Sequence, residues 1–342
     1  MSNKDLGKKI QALLVFSLAI IFLASAVSAE NITQTPDQDV QQLPMSIPTL
    51  STFSAHKDAV PDEAGSFLVY PYYASSINMH SSSFTQISIT NTGDKEVIVK
   101  LLFVDGSNCL VSDNYLTLSA HQSTFFSASD YVPETSGFLI AYAVNNTIDN
   151  KPAKYNHLIG SARVSAVISG VYCDGEYNAY TFKALNYDYP LLSLTFDNDH
   201  FEHWPNTLMA PGILPLLSEE YLQFVILVTP SFDMLQNNLV MLVYDDAEQV
   251  YSAMSTFTCQ LVKVINDDFP RTAPRFDTVI PAGRSGWMRL IKVNDNGAAP
   301  MLGLLMTCGQ TTLGGIEQIH GACFSNGCQN ATLSGGFQWN QN

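Results

Sequence analysis

Basic residues are scarce: 16 Lys and Arg stand against 31 Asp and Glu in 342 residues, a formal net charge of −15. Lys4, Lys8 and Lys9 with Asp5 give residues 1–29 a charge of +2, so the remainder carries −17 (−15 minus +2). A surface of that sign repels phosphate backbones and removes the term that dominates nucleic-acid affinity, so nucleic acid is not an expected partner. Helical periodicity is also scarce, since windows with a 3.6-residue repeat are short. No CxxC pair, CxxCH, HExxH, GxSxG or phosphate-cradling glycine loop occurs. Their absence removes the local support for zinc ribbons, dithiol redox sites, c-type haem, zincins, nucleophile elbows and P-loops. Past residue 29 no apolar run is long enough for a membrane helix, because "GILPLLSEEYLQFVILV" is cut by Pro215, Glu219 and Glu220.

What is present begins with an export signal. "MSNKDLGKKIQALLVFSLAIIFLASAVSAE" has a basic start, an apolar run from Leu13 to Leu23, and Val27 and Ala29 at the −3 and −1 positions of a cleavage site. Residues 1–29 therefore read as a secretory signal peptide and place the chain outside the cell or in its envelope. Residues 30–64 are rich in Gln, Thr, Ser, Asp and Pro and read as a flexible arm. The six cysteines, Cys109, Cys173, Cys259, Cys308, Cys323 and Cys328, all follow the leader. An even count in an exported chain points to disulfides. The expectation is a local clip, Cys323–Cys328, with the other four paired inside their own domains.

Two blocks of the chain follow one script. "FTQISITNT" (84–92), "EVIVKLLFVDGSNC" (96–109), "LTLSAHQSTFFSAS" (116–129) and "SGFLIAYAVN" (136–145) form the first. The second has "LQFVILVTP" (222–230), "NLVMLVYDD" (238–246), "MSTFTCQLVKV" (254–264), "FDTVIPAGR" (276–284) and "SGWMRLIKVN" (285–294). Ile87 and Ile89 align with Val225 and Leu227, Phe103 and Asp105 with Val243 and Asp245, and Cys109 with Cys259. Ser136–Gly137–Phe138 align with Ser285–Gly286–Trp287, where Ser-Gly supplies a turn and the aromatic a core anchor. Period-2 alternation with Gly, Asn, Asp and Pro punctuation predicts an all-β protein of two tandem immunoglobulin-like β-sandwich domains. The expected divisions are domain 1 over 65–190, a connection over 191–215, domain 2 over 216–320, and a Gly/Asn-rich tail over 321–342.

"TQISITNTGDKEVIVKLLFVDGSNC", "SGFLIAYAVN" and "YNHLIGSARV" resemble exported bacterial proteins with tandem immunoglobulin-like β-sandwich modules. The likeness spans about 65–315 and implies a fold, with no activity attached. The antibody-type core disulfide with its central Trp is not evident.

The densest group of potential ligands is "FDNDHFEHW" (196–204), with Asp197, Asp199, His200, Glu202 and His203. Alternate carboxylates suit calcium and imidazoles suit zinc or copper. Asn198 and Pro205 argue for a loop, so a solvated acidic loop is the competing reading. Asp245–Asp246, Glu219–Glu220 and Asp267–Asp268 read as turn charges, because strand neighbours face opposite ways. His121 reads as an edge or turn residue. The tyrosines of "LVYPYYASS" and "YNAYTFKALNYDYP" suit sheet packing or a sugar- or protein-binding surface. Asn31, Asn145 and Asn330 head glycosylation sequons.

The resulting expectation is a non-enzymatic structural or adhesive protein without catalytic residues or cofactor, meeting protein or carbohydrate at the cell surface. Residues 30–64 would mediate self-association by adding a strand to a neighbouring copy. A carbohydrate- or calcium-binding module is the alternative, and a hydrolase whose site assembles across the fold is a third class.

Overall fold

In the computed structural model, the described residues are 63–76, 83–148, 150–168, 170–185, 194–214, 221–229, 236–247, 249–265, 280–281, 284–294, 297–309, 315–322 and 331–333. The expected signal peptide over 1–29, nearly all of the 30–64 segment read as an arm, Cys323, Cys328 and most of "FDTVIPAGR" lie outside them. So do Asn31, Asn330, Glu219–Glu220 and Asp267–Asp268.

The first module contains β1 (Phe67–Ser75), β2 (Phe84–Asn91), β3 (Val97–Asp105), β4 (Val111–Leu118), β5 (Ser123–Ser127), β6 (Thr135–Val144), β7 (Leu158–Ile168), β8 (Val171–Asn178) and β9 (Tyr180–Phe182). A short strand, β10 (Thr195–Phe196), follows. The second module contains β11 (Thr207–Ile213), β12 (Tyr221–Val228), β13 (Asn237–Tyr244), β14 (Val250–Phe257) and β15 (Gln260–Val264). It continues with β16 (Gly286–Asn294), β17 (Gly297–Ala299), β18 (Leu302–Gly309), β19 (Gly315–Gln318) and β20 (His320–Ala322). β21 (Ala331–Thr332) returns to pair with β10. Apart from the 3-10 turn Ala128–Asp130, every element among the described residues is a strand, and every named pairing is antiparallel. The expected β-sandwich class is met.

The two modules have the same wiring. Module one pairs a sheet ordered β4-β3-β6-β1-β9 with one ordered β5-β2-β7-β8. Module two pairs β14-β13-β16-β11-β20 with β15-β12-β18-β19, and only β17, beside β16, is additional. Details repeat as well. β1 bulges between Tyr70 and Tyr73, and β11 between Ala210 and Ile213, with Pro71 and Pro211 inside the bulges. Proline suits a bulge because its missing N–H falls where the ladder is already broken. Opposite each bulge stand Phe138 and Trp287, preceded by Gly137 and Gly286. Asp105 Oδ1 accepts the Ser107 N–H, and Asp245 Oδ1 the Ala247 N–H.

Burial then separates inner sheets from outer ones. β2 alternates exposed and buried positions, as do β13 and β14. In contrast β1 is buried at all nine positions and β6 at its last eight. β12 is divided between two cores: Phe224, Ile226 and Val228 join the first module's cluster, while Val225 and Leu227 join the second's. β18 does likewise, with Leu304 and Met306 on one side and Leu305 on the other. Tyr180, on β9, places its Oη 2.7 Å from Gly303 O on β18. The five-stranded sheet of module one and the four-stranded sheet of module two are thus the inner pair, with their central strands β3, β6, β1, β12 and β18 buried on both faces. All described residues fall in one compact unit, Ser54–Asn342.

Several expectations are corrected. The 191–215 connection contains β10 and β11, and β11 opens module two; its seven residues carry Pro211 and Gly212, which mask strand periodicity. The 321–342 tail contributes β21 and the end of β20. "MSTFTCQLVKV" is two strands broken at Thr258–Cys259. Cys109 therefore follows β3 whereas Cys259 precedes β15, and they are not equivalent positions. They are bonded to each other, and Cys173 to Cys308, so both described disulfides join the modules rather than lying within them. The physical reason is the shared inner layer, which brings β8 beside β18 and the β3–β4 turn beside β15. Disulfides of this kind belong to an oxidising environment. Finally, Ser-Gly lies within β6 rather than in a turn before it, and Gly286 begins β16. Phe138 is 0 % exposed, as a core anchor should be, but Trp287 is 39 % exposed on an outer face.

Candidate functional site

The 194–206 segment is pinned by aromatic side chains. Phe196, Phe201 and Trp204 are buried. Phe196 meets Phe67 at 5.0 Å between ring centroids, and Trp204 stacks on Phe182 at 5.2 Å. These rings take the inward positions of "FDNDHFEHW", so the polar residues between them are left to organise the backbone.

Asp197 does most of that work. Its Oδ1 accepts the N–H groups of Asp199 at 2.9 Å and His200 at 2.8 Å, and its Oδ2 lies 2.7 Å from His200 Nδ1. Burial pushes the Asp197 carboxyl up, but these bonds and the His200 ring outweigh it and hold the group below its ordinary value. The turn closes with Asn198 at φ +63°, a left-handed conformation that asparagine tolerates. Asn198 Oδ1 accepts the His203 N–H at 3.2 Å. Glu202 is buried and its Oε2 accepts the Lys183 N–H at 2.8 Å, tying the segment to the chain after β9.

The structure therefore brings Asp197 and His200 together and directs Glu202 to the backbone of Lys183. Among the described residues no three His, Cys, Asp or Glu side chains stand together as a metal-binding group. Of the carboxylates expected to hold calcium, Asp197 accepts backbone N–H groups, as in an Asx turn, and Asp199 is exposed. Asp245 accepts the Ala247 and Gln249 N–H groups, and Asp246 pairs with Arg284 at 2.8 Å. His121, at φ +57°, sits in the β4–β5 turn as expected.

The tyrosines are mostly internal. Burial raises the phenols of Tyr72 and Tyr73 to about 12, and holds Tyr70, Tyr177 and Tyr180 well above their ordinary value. They remain neutral donors, as in the Tyr70 O–H bond to Ser88 O at 2.8 Å.

What sequence reasoning missed lies on the two outer faces. Among the described residues eleven large apolar side chains are exposed. Phe84, Phe125, Ile159, Val167 and Tyr172 lie on the outer face of the β5-β2-β7-β8 sheet, and Val250, Met254 and Trp287 on that of the β14-β13-β16-β11-β20 sheet. Trp287 stacks on Tyr244 with centroids 4.2 Å apart and planes 7° apart. The signal was available: aligning β16 with β6 shows which aromatic has no covering sheet.

No family model matches the chain. No curated protein matches it. Among solved structures, the crystal structure of Thermotoga maritima 1070 is similar at 13% identity, covering 34% of this chain and 95% of that chain, with a TM-score of 0.27. A score of that size carries no conclusion about fold or function.

Proposed function

We propose that this chain is an exported, non-enzymatic structural or adhesive protein that works at the cell surface or in the envelope. The observation that supports this reading most is the pair of disulfides, Cys109–Cys259 and Cys173–Cys308, spanning 150 and 135 residues and tying both modules to a shared inner layer. Two covalent ties across one interface suit a body that resists separation outside the cell, where no reductant pool opens them. The polar residues of the 196–204 segment serve the fold, and the exposed apolar side chains are spread over flat sheet faces, a form suited to contact with another macromolecule.

Cell fractionation followed by N-terminal sequencing tests export, with Glu30 expected as the first residue. Adhesion of cells with and without the gene tests the role. A chain recovered from the cytosol with residues 1–29 attached, or unchanged adhesion and envelope integrity on deletion, overturns the proposal.

A further inference from the structure

The repeated wiring allows every outer-face residue to be matched with a residue of known surroundings. In module one, the face of the five-stranded sheet that carries Val104, Phe138, Leu102 and Tyr180 is covered, and Tyr180 reaches β18 of the second module's four-stranded sheet. In module two the equivalent face carries Tyr244, Trp287 and Leu242, with Val240, Ile291 and Met209 beside them. Among the described residues no strand lies on that face: Trp287 is exposed and the others are half-buried. The other half of the contact repeats too. Phe224, Ile226 and Val228 of β12 cover module one, and their equivalents on β2 are Gln86, Ser88 and Thr90, which face outward. Among the described residues, then, no strand is laid over either outer sheet, although the module-one equivalent of one of them is covered.

We propose that copies of this chain stack head to tail: the outer face of the β14-β13-β16-β11-β20 sheet of one copy packs on the outer face of the β5-β2-β7-β8 sheet of the next. This deepens the structural reading above by naming the partner, and it rests on that reading. The contact continues the arrangement already made inside the chain between the two inner sheets. Both ends keep apolar side chains for it, with Met254 and Trp287 on one and, on the other, Phe84 and Ile159, whose equivalents Leu222 and Leu302 pack on module one. Five strands about 4.8 Å apart and about seven residues long give about 500 Å² per copy and about 1,000 Å² together, the lower end for a specific interface, so the contact is weak and concentration-dependent. Ser88, Thr90 and Ser161 at the centre of one face, where β12 and β18 carry apolar residues, lower the affinity further. A contact between two different faces does not close on itself, so growth is open-ended.

Sedimentation of the mature, oxidised chain from about 10 μM to about 1 mM tests this. The average mass is expected to climb with concentration without levelling at a dimer. Met254→Glu and Ile159→Glu each alter an exposed side chain, 62% and 39% exposed, and unchanged melting curves verify folding. Each variant alone is expected to stay monomeric, whereas a 1:1 mixture forms a dimer and nothing longer, because one intact face remains on each partner. A monomer throughout, a closed dimer, or growth untouched by either variant overturns the proposal. Deleting residues 30–60 separates it from strand donation by the arm, since stacking survives that deletion. Loss of stacking with adhesion and export intact rejects this inference alone and leaves the proposed function standing.

Discussion

At Gly137 an added Cβ would lie 1.8 Å from the Val104 carbonyl oxygen, and at Gly286 the corresponding distance to Tyr244 O is 2.3 Å. Both glycines are crowded by a carbonyl of the neighbouring strand on the side away from the bulge, β3 or β13, so close backbone approach, rather than φ, excludes a side chain. Gly137→Ala is expected to destabilise by about 2–3 kcal/mol and Gly286→Ala by a similar or smaller amount, read from urea midpoints at constant m. Asp197 gives a second residue-scale test. Its folded-state carboxyl lies below the ordinary value of 3.8, so its stabilisation is present in full above that pH and is lost as pH falls through the folded value. Asp197→Asn is therefore expected to cost about 1 kcal/mol at pH 7 and much less near pH 2, since the lost bonds are those of a carboxylate cap. Equal cost at both pH values would contradict this assignment. Calcium is expected to leave the melting temperature unchanged, since Asp197 and Glu202 are spent on backbone N–H groups, which leaves Asp199 as the one exposed carboxylate of the segment.

At the scale of elements, the two disulfides close loops long enough that each should contribute about 4–5 kcal/mol by the loop-entropy argument. Cys173→Ala with Cys308→Ala is expected to lower the melting temperature by about 10 °C in a chain of this size, checked by calorimetry. Much of this level was legible in the sequence. "FTQISITN" alternates because one face of an outer sheet meets solvent, whereas "NLVMLVY" is apolar on both faces although its burial alternates, and β2 and β13 fall within two residues of the segments read as strands. "FLIAYAV" and "FVILV" do not alternate, and the structure supplies the reason: β6 and β12 belong to inner sheets buried on both sides. β11 was hidden because "TLMAPGI" is short and bulged, and only the Pro71–Pro211 equivalence, visible once β1 is aligned, exposes it as a strand. Disulfide partners were not legible, because Cys173 and Cys308 meet only through packing between modules. For the 196–204 segment residue types suggested ligands, but the inward rings at 196, 201 and 204 decide which groups are left over.

At the scale of the whole molecule, the duplication does more than fill two matched cores. The second module's four-stranded sheet gives alternate side chains to each core, so Phe224 and Val225, adjacent in sequence, stabilise different modules. Removing either module would expose the apolar side chains of an inner sheet, and so the two cannot be independently stable. Calorimetry of the oxidised mature chain measures that coupling directly. One transition is expected, with calorimetric and van't Hoff enthalpies equal, and variants that keep only Trp204 or only Trp287 of the three tryptophans should show the same urea midpoint by fluorescence. Two resolved transitions, or separate midpoints for the two tryptophans, would contradict a shared inner layer.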